Sequence, residues 1–215
     1  MKANYWHDRW NKGETGFHEN VANPALVSYI NELQLKNNAR IFLPLCGKTL
    51  DIAWLLNQGF KVVGVELSAL AIDELFSELN IIPNIIIEGK FTRYCAESLD
   101  ILVGDIFDLT NDTLGSIDAI YDRAALVALP EDMRERYTAH LINVSNATQQ
   151  LLVTFDYDQN LIAGPPFSVE AKELQQLYGN TFQLRLLENI QIEGGLKGKV
   201  AAFTSTWLLK NLVDK

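Results

Sequence analysis

The sequence predicts a doubly wound α/β fold with a mostly parallel, seven-stranded sheet and an N-terminal helical cover. Three observations lead to this prediction. Short apolar runs alternate with amphipathic stretches, as in a parallel sheet that carries helices on both faces. Two apolar runs follow each other directly near the end, which indicates an antiparallel edge. The length of 215 residues suits one domain, so we expect a single unit over 1–215 with a cover segment at 1–39.

The predicted strands are short runs of apolar, largely β-branched or aromatic residues. They lie at residues 40–45, 61–65, 100–103, 117–121, 150–155, 182–192 and 200–209. The last two form the expected antiparallel pair.

The predicted helices are marked by their caps and ends. Asn23 caps a helix that begins with Pro24, because proline suits the first helical position. Ser68 caps a helix that runs to about residue 80. Gly59 ends the helix before it, since a left-handed residue costs little there. The other helices are predicted at 49–58, 131–144 and 168–178.

Composition narrows the classes of function. Hydrophobic residues make up 48% of the chain and charged residues 21%, so a sizeable core can form. The net charge of −9 and the absence of a basic run disfavour a nucleic-acid partner. The apolar runs are too short to span a membrane. Cys46 and Cys95 are too few for a disulfide framework, so we expect a soluble cytoplasmic protein.

The loop after the first strand, residues 43–51, is the first candidate binding site, since ligands of such folds bind beyond the carboxyl ends of the strands. Gly47-Lys48-Thr49 matches part of a phosphate-binding loop, but Phe42 stands where that motif needs its first glycine. A dinucleotide site needs three glycines, and this loop has one. S-adenosylmethionine has no phosphate, so one glycine would let the backbone pass its methionine part. An ordinary strand-to-helix turn is the structural alternative.

The second strand is followed by an acid, Glu66, whose carboxylate can accept hydrogen bonds from both hydroxyls of a ribose. A solvent-exposed acid at a strand end is the alternative. Together, Gly47 and Glu66 indicate a ligand that contains adenosine. They do not separate a nicotinamide cofactor from S-adenosylmethionine.

The chain resembles the thiopurine S-methyltransferase family, particularly its bacterial members. The most specific matches are Pro-Leu-Cys-Gly-Lys at residues 44–48 and Asp-Arg-Ala-Ala-Leu-Val-Ala at residues 122–128. The matching segments are 6–10 with 16–18, 43–48 followed by 63–68, 104–109, 121–130 and, more weakly, 157–159 with 163–167.

The resemblance implies a fold of the class I S-adenosylmethionine-dependent methyltransferase type, with S-adenosylmethionine as methyl donor. It implies acceptors that are aromatic or heterocyclic thiols, and some bacterial relatives are linked to selenium and tellurium species. It places Phe17 at the acceptor pocket. The donor contacts that it implies are Trp10, Leu45, Glu66 and Arg123, with Asp105 and Ile106 near the adenine.

One segment departs from the family. Where the family can place an Arg near the acceptor, this chain has Gly-Gly-Leu-Lys-Gly-Lys at residues 194–199. Lys197 and Lys199 are not equivalent to Arg as planar donors, and the glycines predict a more mobile segment. The acceptor side is therefore less well defined than the donor side.

Arg123 and the N-terminal tryptophans have two interpretations each. Arg123 follows a strand, and its fork of donors suits a carboxylate of the donor. Without the resemblance, an ion pair with Asp122 or Asp118 is the favoured interpretation. Trp6 and Trp10 lie on one helical face, and they form either a cover over the donor or an anchor in the core.

No residue is assigned as a general base. Methyl transfer from a sulfonium to sulfur is a direct displacement that mainly requires alignment and exclusion of water. His7, placed opposite the tryptophans if the stretch is helical, and His18 are weak candidates. Cys46 is expected to pack as a small hydrophobe. The scattered His and Cys residues predict no metal site.

The function predicted from the sequence is S-methylation of a small thiol by a thiopurine S-methyltransferase-like enzyme. The alternatives are a sensor that binds S-adenosylmethionine without turnover and a nicotinamide-dependent oxidoreductase. A monomer is the default expectation. The natural acceptor is not defined by the sequence.

Overall fold

The central layer of the protein is one β-sheet. The computed structural model describes residues 3–15 and 18–212. The strands are Arg40–Pro44 (β1), Lys61–Glu66 (β2), Asn84–Glu88 (β3), Phe91–Cys95 (β4), Leu99–Val103 (β5), Ala119–Arg123 (β6), Gln150–Tyr157 (β7), Phe182–Gln191 (β8) and Ala202–Asn211 (β9). Over the described ranges these nine strands lie in the order β3-β4-β5-β2-β1-β6-β7-β9-β8.

The middle of the sheet is parallel and both margins are antiparallel. Strands β5, β2, β1, β6 and β7 run in the same direction. β4 is antiparallel to β5, and β9 is antiparallel to both β7 and β8. The chain leaves β1 toward β2 on one side and returns to β6 on the other. In folds of this kind such a reversal marks the crevice beyond the carboxyl ends of the strands, here β1 and β6, where ligands bind.

The helices are Ala3–Asn11 (α1), Pro24–Tyr29 (α2), Leu50–Asn57 (α3), Ala69–Glu78 (α4), Asn111–Leu114 (α5), Glu131–Val144 (α6) and Ala171–Tyr178 (α7). The Asn23 side chain accepts from the Ala25 N–H, and Ser68 accepts from the Ala71 N–H. Both predicted caps are therefore confirmed. Across the described part of the chain, every helix is too short or too polar to cross a membrane.

Most of the core lies in two halves, one on each face of the sheet, and a smaller apolar cluster contains Tyr157, Leu196, Val200 and Ala202. Side chains alternate along a strand, so Ile41 and Leu43 of β1 face one half while Phe42 faces the other. Helices α2, α3 and α4 cover the first half, and α5, α6 and α7 cover the second. This arrangement confirms the doubly wound α/β prediction.

The prediction of seven strands is wrong, because the described residues contain nine. The seven predicted strands are all present, and the hairpin of β3 and β4 extends the sheet beyond β5. Ile85, Ile86 and Ile87 form a continuous apolar run without alternation, and all three are exposed on the edge strand. A strand that packs so little side-chain surface lacks the pattern by which core strands are recognised.

Candidate active site

The loop after β1 turns back sharply at the centre of the crevice. Leu45 and Gly47 have φ values of +47° and +52°. The Cys46 N–H donates to the Val65 carbonyl at 3.0 Å, which ties the loop to β2. Thr49 then caps α3 by accepting from the Asp51 N–H. Leu45, predicted as a donor contact, is half-buried against the core at this turn.

Trp10 of α1 lies against this loop. Only 6% of Trp10 is exposed. A Cβ placed at position 47 would lie 3.0 Å from Cζ2 of Trp10. Glycine at 47 thus serves both the left-handed backbone and the close approach of the ring. The structure therefore brings two residues that are distant in sequence to one surface.

Glu66 lies at the end of β2, beside the same loop. Its Oε2 accepts from the Gly47 N–H at 2.8 Å, and its Oε1 accepts from the Ser68 N–H at 2.9 Å. Burial raises the pKa of Glu66, while the N–H groups of Ser68 and Gly47 oppose the rise. Each carboxylate oxygen has a second lone pair. The Leu67 N–H also lowers this pKa, so the chain uses part of the acceptor capacity of Glu66, and the rest can accept from ligand hydroxyls.

Asp105 and Ile106 follow β5 and adjoin Glu66 through the backbone. The Gly104 N–H donates to the Glu66 carbonyl at 2.8 Å. Asp105 is exposed and accepts from the Phe107 N–H at 2.9 Å. The Ile106 side chain is buried in the core, and its carbonyl lies 2.8 Å from Nε2 of His140. The Asp105 side chain is therefore exposed next to the end of β2, whereas the Ile106 side chain is turned to the core.

Arg123 ends β6 and is engaged by carboxylates that the sequence did not indicate. Its Nε donates to Oδ2 of Asp51 at 2.9 Å, and its Nη2 lies 3.3 Å from Oε2 of Glu19. The alternative interpretation, an ion pair, is present, but its partners are Asp51 and Glu19 in place of Asp122 or Asp118. Asp118 instead accepts from the Arg40 N–H at 2.7 Å.

Asp122 is used by the turn after β6. It is fully buried and accepts from the Leu126 N–H at 3.0 Å and the Tyr137 hydroxyl at 2.8 Å. Burial raises the pKa of Asp122 to about 6. This carboxyl group holds the backbone that follows Arg123, so it acts on the crevice indirectly.

A second pair of loops lies at the same edge of the sheet, beside the crevice. β7 and β8 are parallel, so the segments 158–167 and 192–201 that follow them leave the sheet on the same side. Gln159 orders the first loop by donating to Tyr157 and Ile162. The Lys197 ammonium donates to the Pro165 carbonyl at 2.9 Å and joins the two loops. Lys199 lines a groove of about 600 Å³ under residues 191–201.

Three further residues, His7, Cys46 and Lys48, have different surroundings. His7 was placed opposite the tryptophans, but it lies close enough to Glu66 to lower the pKa of that carboxyl. Cys46 is buried in the core, as predicted, and burial raises the pKa of its thiol well above the ordinary value. Lys48 pairs with Glu74 and Glu78 of α4, so its ammonium is turned to a helix.

The remaining predictions concern Phe17, His18 and a metal site. Phe17, predicted at the acceptor pocket, lies outside the described residues. His18 is half-buried, and its N–H donates to the Thr15 carbonyl at 2.8 Å. Among residues 3–15 and 18–212, no group of three His, Cys, Asp or Glu side chains is placed to hold a metal.

Solved structures of low sequence identity share the fold of this chain. One is the 1,6-didemethyltoxoflavin-N1-methyltransferase of Burkholderia thailandensis with bound 1,6-didemethyltoxoflavin and S-adenosylhomocysteine. It has a TM-score of 0.66 at 15% identity and covers 97% of this chain and 87% of its own. An S-adenosylmethionine-dependent methyltransferase from Anabaena variabilis has a TM-score of 0.64 at 15% identity, over 97% and 95% of the two chains. The fold is that of S-adenosylmethionine-dependent methyltransferases.

Sequence relatives define the family. The family model described as Thiopurine S-methyltransferase (TPMT) matches residues 1–207. A thiopurine S-methyltransferase of Xanthobacter autotrophicus is 51% identical over 98% of this chain and 99% of its own. One from Teredinibacter turnerae is 52% identical over the full length of both. The chain belongs to the thiopurine S-methyltransferase family. It is a methyltransferase that uses S-adenosylmethionine as donor and sulfur as acceptor.

Proposed function

We propose that this enzyme methylates small aromatic or heterocyclic thiols of the thiopurine type. The acceptor class is supported by the family and by the relatives named thiopurine S-methyltransferase. The observation that supports the donor site is the arrangement of charges at the crevice. Glu66, the proposed acceptor for a ribose diol, ends β2, and Arg123, the proposed donor to a carboxylate, ends β6. β1 and its Gly47 loop lie between them. An adenosine at one end and an amino-acid carboxylate at the other match the two ends of S-adenosylmethionine.

The donor contacts follow from this orientation. We assign the ribose to Glu66 and the methionine carboxylate to Arg123. Trp10 and Leu45 flank the turn at Gly47, and they would contact the middle of the donor, where the aromatic face of Trp10 suits a sulfonium cation. Asp105 and Ile106, beyond the ribose, are assigned to the adenine.

The transfer is a direct displacement within one ternary complex. The acceptor sulfur, as a thiolate, forms a bond to the methyl carbon while the bond from that carbon to the sulfonium breaks. The electron pair of the broken bond stays on the departing sulfur, which leaves neutral S-adenosylhomocysteine. An acidic heterocyclic thiol loses its proton to solvent before transfer, so the protein mainly aligns three atoms and excludes water. No covalent enzyme intermediate is expected.

The N-terminal segment is proposed to cover the donor and to complete the acceptor pocket, with Phe17 as an acceptor contact. Trp10 supports this, because its ring contacts Gly47 of the donor loop. Its helix, α1, comes before the first strand in sequence, so the α/β core does not require it. Hydrogen exchange of residues 4–15, with and without S-adenosylhomocysteine, tests the cover. Protection should rise with the ligand. Equal protection in both states would mean a permanently docked helix.

The rest of the chain is assigned to the same unit. We propose one methyltransferase domain over residues 1–215, active as a monomer on a small-molecule thiol. A cytoplasmic location is proposed because both Cys46 and Cys95 carry free thiols, which suits a reducing compartment.

Turnover with radiolabelled donor tests the proposed acceptors. We expect label in methylated 2-nitro-5-thiobenzoate and 6-mercaptopurine, and the same assay with selenite and tellurite tests the wider acceptor range. Binding of S-adenosylhomocysteine without methylation of any of these compounds would instead support a sensor. Calorimetry that showed tight NAD binding and no S-adenosylhomocysteine binding would overturn the donor site.

A further inference from the structure

A closed ring of polar contacts surrounds the guanidinium of Arg123. Nε of Arg123 donates to Oδ2 of Asp51 at 2.9 Å. The other oxygen of Asp51, Oδ1, accepts from the backbone N–H of Asn23 at 2.7 Å. The Asn23 side chain donates to Oε2 of Glu19 at 3.2 Å, and the same oxygen lies 3.3 Å from Nη2 of Arg123. The first turn of α3 and the segment before α2 thus meet at one arginine.

The two carboxylates of this ring differ in burial. Asp51 has a side chain that is only 1% exposed, and the Arg123 side chain is 10% exposed. Glu19 is 43% exposed. Removing Arg123 from Asp51 would leave a buried, uncompensated charge, which is strongly unfavourable. Removing it from Glu19 returns a carboxylate to water at little cost.

We propose that Asp51 is a positioning residue for the methyl donor, and that Glu19 is a placeholder whose position at Arg123 the donor carboxylate takes. This inference rests on the proposed contact between Arg123 and the donor. Asp51 holds the Nε edge of the guanidinium, so Nη2 stays directed at the place that the Glu19 carboxylate occupies. The bond from Asn23 to Asp51 keeps the entry of the N-terminal segment at the same point.

Charge balance favours exchange over simple addition. Asp51 and Glu19 already set two negative charges against one guanidinium. A third carboxylate beside them would be repelled, because like charges at close range disfavour each other. The exposed member of the pair can leave, whereas the buried member cannot. Donor binding would therefore release Glu19 and keep Asp51.

A pair of ligands isolates the carboxylate contact. S-adenosylhomocysteine carries the carboxylate, and S-adenosyl-3-thiopropylamine has the same adenosine, thioether and ammonium without it. Titration calorimetry with both gives a preference ratio for each variant. We expect Asp51→Asn to weaken the binding of S-adenosylhomocysteine about tenfold or more, because the ligand carboxylate loses its aligned hydrogen bond to the charged Arg123. The affinity for the amine should change by no more than about twofold. Asp100→Asn, which removes a carboxylate paired with Arg40 and Arg93, is the control and should leave the ratio unchanged.

The exposed carboxylate gives a second, independent arm. Glu19→Gln should strengthen S-adenosylhomocysteine binding about two- to threefold and leave the amine unchanged, because a competitor of the ligand carboxylate is removed. Glu14→Gln makes the same change of charge in the same segment, where Glu14 lies beside Arg9, and should alter neither. Weaker binding by Glu19→Gln would overturn the placeholder role, since Glu19 would then hold the donor itself.

Two further measurements separate the possible failures. Arg123→Met should abolish the preference for the carboxylate. If it does and Asp51→Asn does not, the Arg123 contact stands and the role of Asp51 fails. If Arg123→Met keeps the preference, the proposed donor contact fails first. Should Asp51→Asn not fold, the Nε–H resonance of Arg123 in the wild-type enzyme decides. It must exchange slowly with and without S-adenosylhomocysteine, and fast exchange in either state contradicts the positioning role.

Discussion

At the carboxyl edge of the sheet, the side proposed for the donor and the side proposed for the acceptor differ in how the chain holds their residues. Glu66 and Asp51 are buried and Arg123 is half-buried, and each of these charged groups is held by at least two contacts within the chain. On the side that we propose for the acceptor, the segment 192–201 contains four residues with positive φ, and the exposed Lys197 joins it to its neighbour. A donor that never changes suits a fixed site. Loops tolerate change at low cost, which suits the contacts proposed for the acceptor.

Solution pH should change the free energy of unfolding through Asp122, which adjoins Arg123 on the donor side. The pKa of Asp122 is raised to about 6 from an ordinary value of 3.8, so folding favours its protonated form. Its contribution to stability is complete below pH 3.8 and is lost as the pH rises through 6. The loss amounts to about 3 kcal/mol.

Urea unfolding between pH 4 and pH 7 measures this effect. Asp122→Asn keeps the acceptor for Leu126 and a polar partner for Tyr137, and it should be less sensitive to pH than the wild type by that amount. Asp158→Asn, an exposed residue in the acceptor-side loop, should behave as the wild type. Identical pH profiles for all three proteins would show that Asp122 does not titrate in this range.

Loss of the Glu66 charge should strongly weaken donor binding. Glu66→Gln keeps the shape of the side chain, but its amide cannot accept from both Gly47 and Ser68. Together with the weaker ribose contact, we expect a Kd for S-adenosylhomocysteine that is about tenfold to a hundredfold higher. Glu88→Gln, which removes a carboxylate from an ion pair at the sheet edge, is the control. Equal affinity in a folded Glu66→Gln variant would return Glu66 to an ordinary strand-end acid.

The contact between Trp10 and the glycine loop can be isolated with two glycines. Gly47 and Gly89 have φ values of +52° and +59°, so Gly→Ala costs about 1 kcal/mol at each from the backbone alone. At Gly47 the ring of Trp10 must also shift, which should add about 1 kcal/mol. A Cβ at Gly89 meets nothing within 4 Å. Thermal unfolding of both variants gives the difference, and equal destabilisation would mean that Trp10 does not press on the loop.

The smallest effect is expected on the acceptor side. Lys197→Met removes the bond to Pro165 that joins the two loops. Because an exposed contact is worth little, the KM for a thiol acceptor should rise about two- to threefold while donor affinity stays unchanged. Lys172→Met on α7 makes the same change of charge away from both loops. A change in donor affinity with Lys197→Met would break the separation between the two sides.

The sequence predicted the core of this fold because core elements carry clear patterns. The strand of Arg40–Pro44 and the cap Asn23 are both found where apolar runs and capping residues indicate them. The hairpin of Asn84–Glu88 and Phe91–Cys95 was missed, because its isoleucines face solvent and follow no alternation. Local pattern reports burial, so an exposed edge strand escapes it.

The candidate site was predictable in part for a similar reason. Glu66 and Gly47 stand at strand ends that topology brings together, and the structure joins them at 2.8 Å. Asp51 and Glu19 were missed as partners of Arg123, because their positions in sequence suggest only a first-turn acid and a loop acid. Contacts that span 72 and 104 residues depend on the packed fold.

A crystal structure of the enzyme with S-adenosylhomocysteine tests the central claim most directly. The account predicts both ribose hydroxyls within hydrogen-bond distance of the Glu66 carboxylate and the ligand carboxylate on Arg123, with Asp51 still on Nε and Glu19 displaced. A ligand whose ribose lies away from Glu66, or whose carboxylate lies away from Arg123, would contradict it.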